Sequence, residues 1–200
     1  MAASTASSAT AGGGTGGAGR PVRVLCLGNE LIADDALGIV AAHRLCRRLA
    51  DAGTPRPGAP AFDSAATLHA FDHPRAGPVE VIETALTGMY LLDAVVGASR
   101  LIVVDTVVTG SAPPGTVDVL GEGDFAGAPA GGSPHYIGLF EALDLARSLG
   151  LDTPAEVVIV AVEAGDFFTV GGGMTAEVEG AVPEVVDRVL ALLDGAAPEA

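Results

Sequence analysis

Two hundred residues, 49% hydrophobic and 18% charged, suit one domain with a core built mostly from Val, Leu, Ile and Ala, because Trp is absent and aromatics are only 4%. A formal net charge of -15 excludes nucleic acid and anionic membranes as partners, since both need basic patches, and the lack of any lysine excludes Schiff-base chemistry. No apolar run approaches the roughly 20 residues of a membrane span and the first residues lack a secretory pattern, so a cytoplasmic protein is expected.

In chain order, residues 1–20 are Ala, Ser, Thr and Gly with a single Arg20, and read as a disordered low-complexity tail. One domain is expected over residues 21–195, with a short flexible tail at 196–200. Val22–Gly28 reads as a buried strand. The helix after Asp35 sets Leu37, Val40, Ala41, Leu45 and Leu49 on one face. Cys26 in the strand and Cys46 in the helix have no CxxC partner and read as buried free thiols.

Asp51–Pro78, rich in Pro, Gly and Ala, reads as a long surface loop with one short turn near Ala65–Ala70. His69 and His73 are then solvated loop histidines. Val79–Glu83 is a second strand and Gly88–Val96 a short helix. Leu101–Asp105 is a third strand, apolar throughout, as expected where helices cover both faces. Thr116–Leu120 is a fourth strand and Gly121–Gly132 a flexible loop. His135–Leu149 is a helix capped by Ser133, with Pro134 in its first turn and Gly150 as its stop. Glu156–Val162 is a fifth strand, Gly171–Gly173 a mobile loop, and Thr175–Leu193 a last helix that Pro183 should kink or split. Strands alternate with helices, which predicts an α/β fold: a three-layer sandwich with a five-stranded, mainly parallel or mixed sheet.

The chemistry gathers at element ends. The first strand runs into Gly28-Asn29, then adjacent acids Asp34 and Asp35. Gly and Asn tolerate a tight exit from a strand, and strand C-termini are where α/β proteins bind ligands. The third strand ends on Asp105, and the helix after Ser133 opens on His135. Carboxylates with an imidazole form a mixed oxygen and nitrogen ligand set for a borderline divalent ion: nickel, zinc, iron, cobalt or manganese. Three protein ligands leave positions open for water or substrate. Structural readings stand beside this one. Asp34 and Asp35 suit helix capping, Asp105 suits accepting loop N–H groups, and His135 suits a structural place at a helix start. Nucleotide-binding and serine-hydrolase readings fail on motif, for there is no G-x-G-x-x-G after the first strand, no Walker lysine and no G-x-S-x-G.

Gly28-Asn29-Glu30-Leu31-Ile32-Ala33-Asp34-Asp35-Ala36-Leu37-Gly38 resembles the G-N-x-L-x-x-D-[DE]-x-x-G motif of the maturation endopeptidases of [NiFe] hydrogenases. Leu101–Asp105 resembles that family's third-strand ending. Ser133-Pro134-His135-Tyr136-Ile137-Gly138-Leu139 resembles its S-P-H-x-x-G-L helix opening, and Gly173-Met174-Thr175 its last helix start. The resemblance spans about residues 22–193. It implies a sheet-centred α/β sandwich and an aspartic-type endopeptidase that activates its partner by clipping a C-terminal extension from the nickel-loaded hydrogenase large-subunit precursor. It further implies Asp35, Asp105 and His135 as ligands of a divalent metal, nickel, delivered by the substrate, with Asp35 and Asp105 as the catalytic acids; the sequence leaves the oligomeric state open, a monomer being favoured.

One segment departs from the family. Where D-G-G-T-x-G is usual, this chain has Glu83-Thr84-Ala85-Leu86-Thr87-Gly88, without the glycine pair that lets a substrate backbone approach closely. Two further readings therefore stand beside the peptidase: a non-proteolytic hydrogenase assembly factor, and a metal-dependent hydrolase with another substrate.

Overall fold

The computed structural model describes residues 19–52, 54–56, 66–125 and 134–197; the side chains of Phe125 and of residues 134–137 lie outside that description. The expected tail over 1–18, part of the expected long loop (57–65), most of the loop up to Gly132, the capping residue Ser133 and residues 198–200 also lie outside the described residues.

Among the described residues, seven strands form one sheet in the order β2-β3-β4-β1-β5-β7-β6. They are β1 (Val22–Leu27), β2 (Thr54–Arg56), β3 (Ala66–His73), β4 (Gly77–Thr84), β5 (Arg100–Val107), β6 (Val117–Gly121) and β7 (Val157–Glu163). The inner strands β4, β1, β5 and β7 run parallel, while β2, β3 and β6 are antiparallel additions at the two edges. The fold class is the expected one: mixed and mostly parallel, with helices on both faces. The strand count is seven where five were expected. The two missed strands lie in the stretch read as a loop, and β3 pairs with β4 through a tight turn at residues 74–76. Only Phe71 of β3 is buried, so its side chains lack the strong apolar alternation that marks a strand in sequence.

Alternation along each strand sends side chains to opposite faces. Val24, Val104 and Val160 face α1 (Leu37–Ala52) and α4 (Ala176–Leu193). Leu25, Val103 and Ile159 face α2 (Leu92–Val95) and α3 (Pro134–Ser148). The inner strands β5 and β7 are buried almost end to end, as parallel strands covered on both sides must be.

Pro183 does not split the last helix, which is continuous over Ala176–Leu193. A helical proline removes one bond to the carbonyl four residues earlier. Pro183 and Glu179 both lie on the exposed side of α4, so the freed carbonyl meets water. Among the described residues no helix is long and apolar enough to cross a membrane.

Candidate functional site

The turn after β1 is shaped by two close approaches. A Cβ on Gly28 would collide with the carbonyl oxygen of Asp35, and one on Gly38 with the carbonyl oxygen of Leu27. Glycine at both positions lets the first turn of α1 fold back onto the end of the strand. Asn29 holds the turn: its N–H donates to the Asp35 carbonyl at 3.1 Å, and its side-chain oxygen accepts the Leu31 N–H at 3.0 Å. The chain then enters a 3-10 turn over Asp34–Ala36 that carries both acids, buried.

The two acids have different surroundings. Asp34 is fully buried. One of its oxygens accepts the N–H groups of Gly165 at 2.8 Å and Asp166 at 2.7 Å. The other accepts the Thr175 N–H at 2.7 Å and the Thr175 hydroxyl at 2.9 Å. Asp34 therefore ties the exit of β1 to the loop after β7 and to the start of α4. It does cap a helix, as its sequence position allowed, but the helix is α4, 141 residues away, and not the one that follows it.

Asp35 is 3% exposed and sits on the 3-10 turn, which packs against β5. Asp105 is fully buried near the C-terminal end of β5, where one oxygen accepts the Thr106 N–H at 2.8 Å. β5 is the parallel neighbour of β1, so both acids lie at the C-terminal ends of adjacent strands. Asp105 also shares a sheet face with Leu101, Val103 and Val107, the face covered by α3.

His135 lies in the first turn of α3, and its side chain is outside the described residues. The helix is placed by a glycine contact. A Cβ on Gly138 would collide with the backbone of Gly88, so α3 crosses the loop after β4 at van der Waals contact. That crossing, one turn after His135, sets the opening of α3 over the face that carries Asp105. Among the described side chains no three His, Cys, Asp or Glu residues converge as a metal site; the third expected ligand is not among those side chains.

The sequence reading missed a second polar group and misread two histidines as loop residues. His69 is no solvated loop residue: it is half-buried in β3 with Nε2 at 3.5 Å from Glu83 Oε1, while His43 of α1 places Nε2 at 3.0 Å from Glu83 Oε2. His73 also belongs to β3, where its Nδ1 accepts the N–H of Ala76 at 3.2 Å in the hairpin turn. The signal for the pair was hidden because the strand that carries both histidines was hidden. The two cysteines are free; Cys26 is buried as expected, while Cys46 is only half-buried. Burial first, and Glu83 second, push the Cys46 thiol up to about 12, and burial pushes Cys26 higher still, so neither is a nucleophile at neutral pH.

The sequence pattern of the family described as hydrogenase maturation protease matches residues 65–192. The chain is 26% identical over 180 residues to the hydrogenase 2 maturation protease of Escherichia coli, a match spanning 90% of this chain and 94% of that protein. Its fold resembles that of the hydrogenase maturating endopeptidase HybD from E. coli, with a TM-score of 0.61 and 25% identity over 86% of this chain and 91% of the other. The [NiFe] hydrogenase maturation protease HybD from Thermococcus kodakarensis shares the fold, with a TM-score of 0.59 and 20% identity over 86% of this chain and 99% of the other.

Proposed function

Since this chain belongs to the hydrogenase maturation protease family, we propose that it is the endopeptidase that removes the C-terminal extension of a nickel-loaded [NiFe] hydrogenase large-subunit precursor, acting in the cytoplasm. The observation that supports the reading is the placement of two buried carboxylates at one rim of the sheet in a chain of this family: Asp35 on the 3-10 turn that packs against β5, and Asp105 near the C-terminal end of β5.

The donor set fits a divalent ion. Two carboxylates taken out of water favour a cation beside them, and with an imidazole they make the mixed set that nickel accepts. In this reading Asp35, Asp105 and His135 close on the nickel that the substrate carries, so cleavage waits for metal insertion. Bound there, nickel supplies a Lewis acid that polarises the scissile carbonyl. The chain's own part is positioning. The Gly28–Gly38 turn fixes Asp35, the end of β5 fixes Asp105, and the Gly138 crossing fixes the opening of α3 that bears His135.

The test is intact mass spectrometry of a nickel-loaded large-subunit precursor from the same organism, incubated with the protein. Loss of one discrete C-terminal peptide, only when nickel is present, is the expected result. A stable complex with unchanged mass would replace the peptidase by an assembly factor. Cleavage that ignores nickel would remove the metal from the reading.

A further inference from the structure

The loop that departs from the family's glycine pattern borders a cavity of about 180 Å³. Ala66, Ile82, Leu86 and Leu91 form its apolar walls, and Met89 and Tyr90 stand exposed at its rim, Tyr90 at 73%. Thr84 also lines it, and its hydroxyl oxygen is occupied by the Leu86 N–H at 3.0 Å. The lining carries one charged group, Asp93, which is exposed.

The position of the cavity relative to the acids follows from register. Leu27 of β1 pairs with Thr84 of β4, and Cys26 pairs with Val104 of β5. One step further along, Asp105 is level with Leu27 and hence with Thr84. All three share a face: Leu27 lies in the cluster under α2 and α3, and Thr84 and Asp105 alternate in phase with Ile82 and Val103 of that cluster. Thr84 and Asp105 therefore stand in one row, two strand spacings or about 10 Å apart. An extended peptide advances about 3.3 Å per residue. A peptide laid along the strand ends, with its scissile bond at Asp105, puts a side chain about three residues away over the cavity.

We propose that this cavity is a side-chain subsite of the peptidase, which receives one apolar side chain of the precursor about three residues from the scissile bond. The inference rests on the peptidase reading and names what that site selects. The size argues for one side chain: an apolar cavity near 150 Å³ accommodates a benzene ring, so leucine and phenylalanine fit and a longer segment does not. The walls argue for an apolar one, since Ala66, Ile82, Leu86 and Leu91 form them and a charge among them loses its water, while the exposed Asp93 of the lining repels an acid. Continuity argues for the substrate as the occupant. Thr84, which lines the cavity, also accepts the Gly28 N–H at 3.2 Å through its carbonyl, so the subsite is built onto the same turn that carries Asp35. Bulky Leu86, in the segment where the family has glycine, is thus a wall of the subsite and no obstacle to cleavage.

The experiment uses the full chain and the nickel-loaded precursor, with Ala, Leu, Phe or Glu placed in turn at each of the four positions on either side of the scissile bond. Cleavage is read as kcat/KM. At one position, about three residues out, Leu is expected to exceed Ala by about tenfold or more, as one or two methylenes do in an apolar pocket, and Glu is expected to fall below Ala. Two variants change the volume. Ala66→Leu is expected to abolish the Leu-to-Ala ratio at that position, and Leu86→Ala to move the preference from Leu to Phe. Each ratio is taken within one enzyme, so a loss of stability does not imitate it. Cleavage by the unaltered chain with no apolar preference at any position overturns the subsite and leaves the peptidase reading standing. No cleavage of any precursor by the unaltered chain overturns both.

Discussion

The rim of the sheet has two halves built from the same residue type to opposite ends. On the side of β7 and α4, Asp34 is filled by donors from Gly165, Asp166 and Thr175. On the side of β5 and α3, the next residue, Asp35, sits on the 3-10 turn that packs against β5, the strand that carries Asp105. Under the proposed function, one dipeptide divides the work between architecture and chemistry. A carboxylate whose oxygens accept several N–H groups from distant segments is a joint between them; the proposed function gives the other acid, together with Asp105, the cation.

The largest effect should fall on the β5 side. Asp35→Asn, Asp105→Asn and His135→Ala are each expected to lower precursor processing by about a hundredfold or more, a size typical of losing one electrostatic stabiliser. Their unfolding midpoints should move by no more than about 4 °C, the equivalent of roughly 1 kcal/mol in a chain of this length. Processing by all three variants would dissolve the difference between the two halves.

Asp34→Ala should do the reverse. It strips four N–H and hydroxyl donors of a charged acceptor in a fully buried place. Breaking a buried charged network costs about 3–5 kcal/mol, read as a lower urea midpoint, while the folded fraction keeps its turnover. Asp34→Asn, which retains one acceptor oxygen, should lose less. An Asp34→Ala protein that is fully stable and yet inert would move Asp34 from the joint to the chemistry.

Much of this division was legible in the chain. The Gly28–Gly38 spacing marks a strand that turns sharply into a helix, and Val103-Val104-Asp105 marks an apolar strand that reaches an acid; both strands are present, β5 running two residues past Asp105 to Val107. What the sequence hid has common physical causes. Asp34 and Asp35 are adjacent and chemically alike, and only long-range partners at Thr175 and Asp166 separate them. β2 and β3 are the outer two strands at one side of the sheet, and Phe71 is their single buried residue, so they lack the apolar alternation that reveals a strand. The approach of His69 to Glu83 needs β3 to exist. Pro183 shows the converse: a strong local signal for a break was overridden because the proline faces solvent and α4 is held by its buried valines.

The smallest expected effect probes how firmly the joint holds the loop beyond it. Phe168 is 88% exposed, yet its backbone is fixed. Asp166 accepts the N–H groups of Phe168 and Thr169, each at 3.0 Å, and the Thr169 carbonyl accepts the Ala33 N–H at 2.9 Å. The Thr169 side chain first, and then the two backbone N–H groups, hold the Asp166 carboxyl below its ordinary value. A carboxyl depressed in the folded state contributes above its unfolded pKa, near 4, and the contribution is lost as pH falls through the folded value. The amide resonances of Phe168 and Thr169 should therefore hold steady from pH 7 to about 4 and shift together only below it. In Asp166→Asn the acid-driven shift should vanish, while the Asp34 bonds to Gly165 and Thr175 keep the joint closed. A shift centred near pH 6 would mean that this loop answers to a histidine and stands apart from the Asp34 joint.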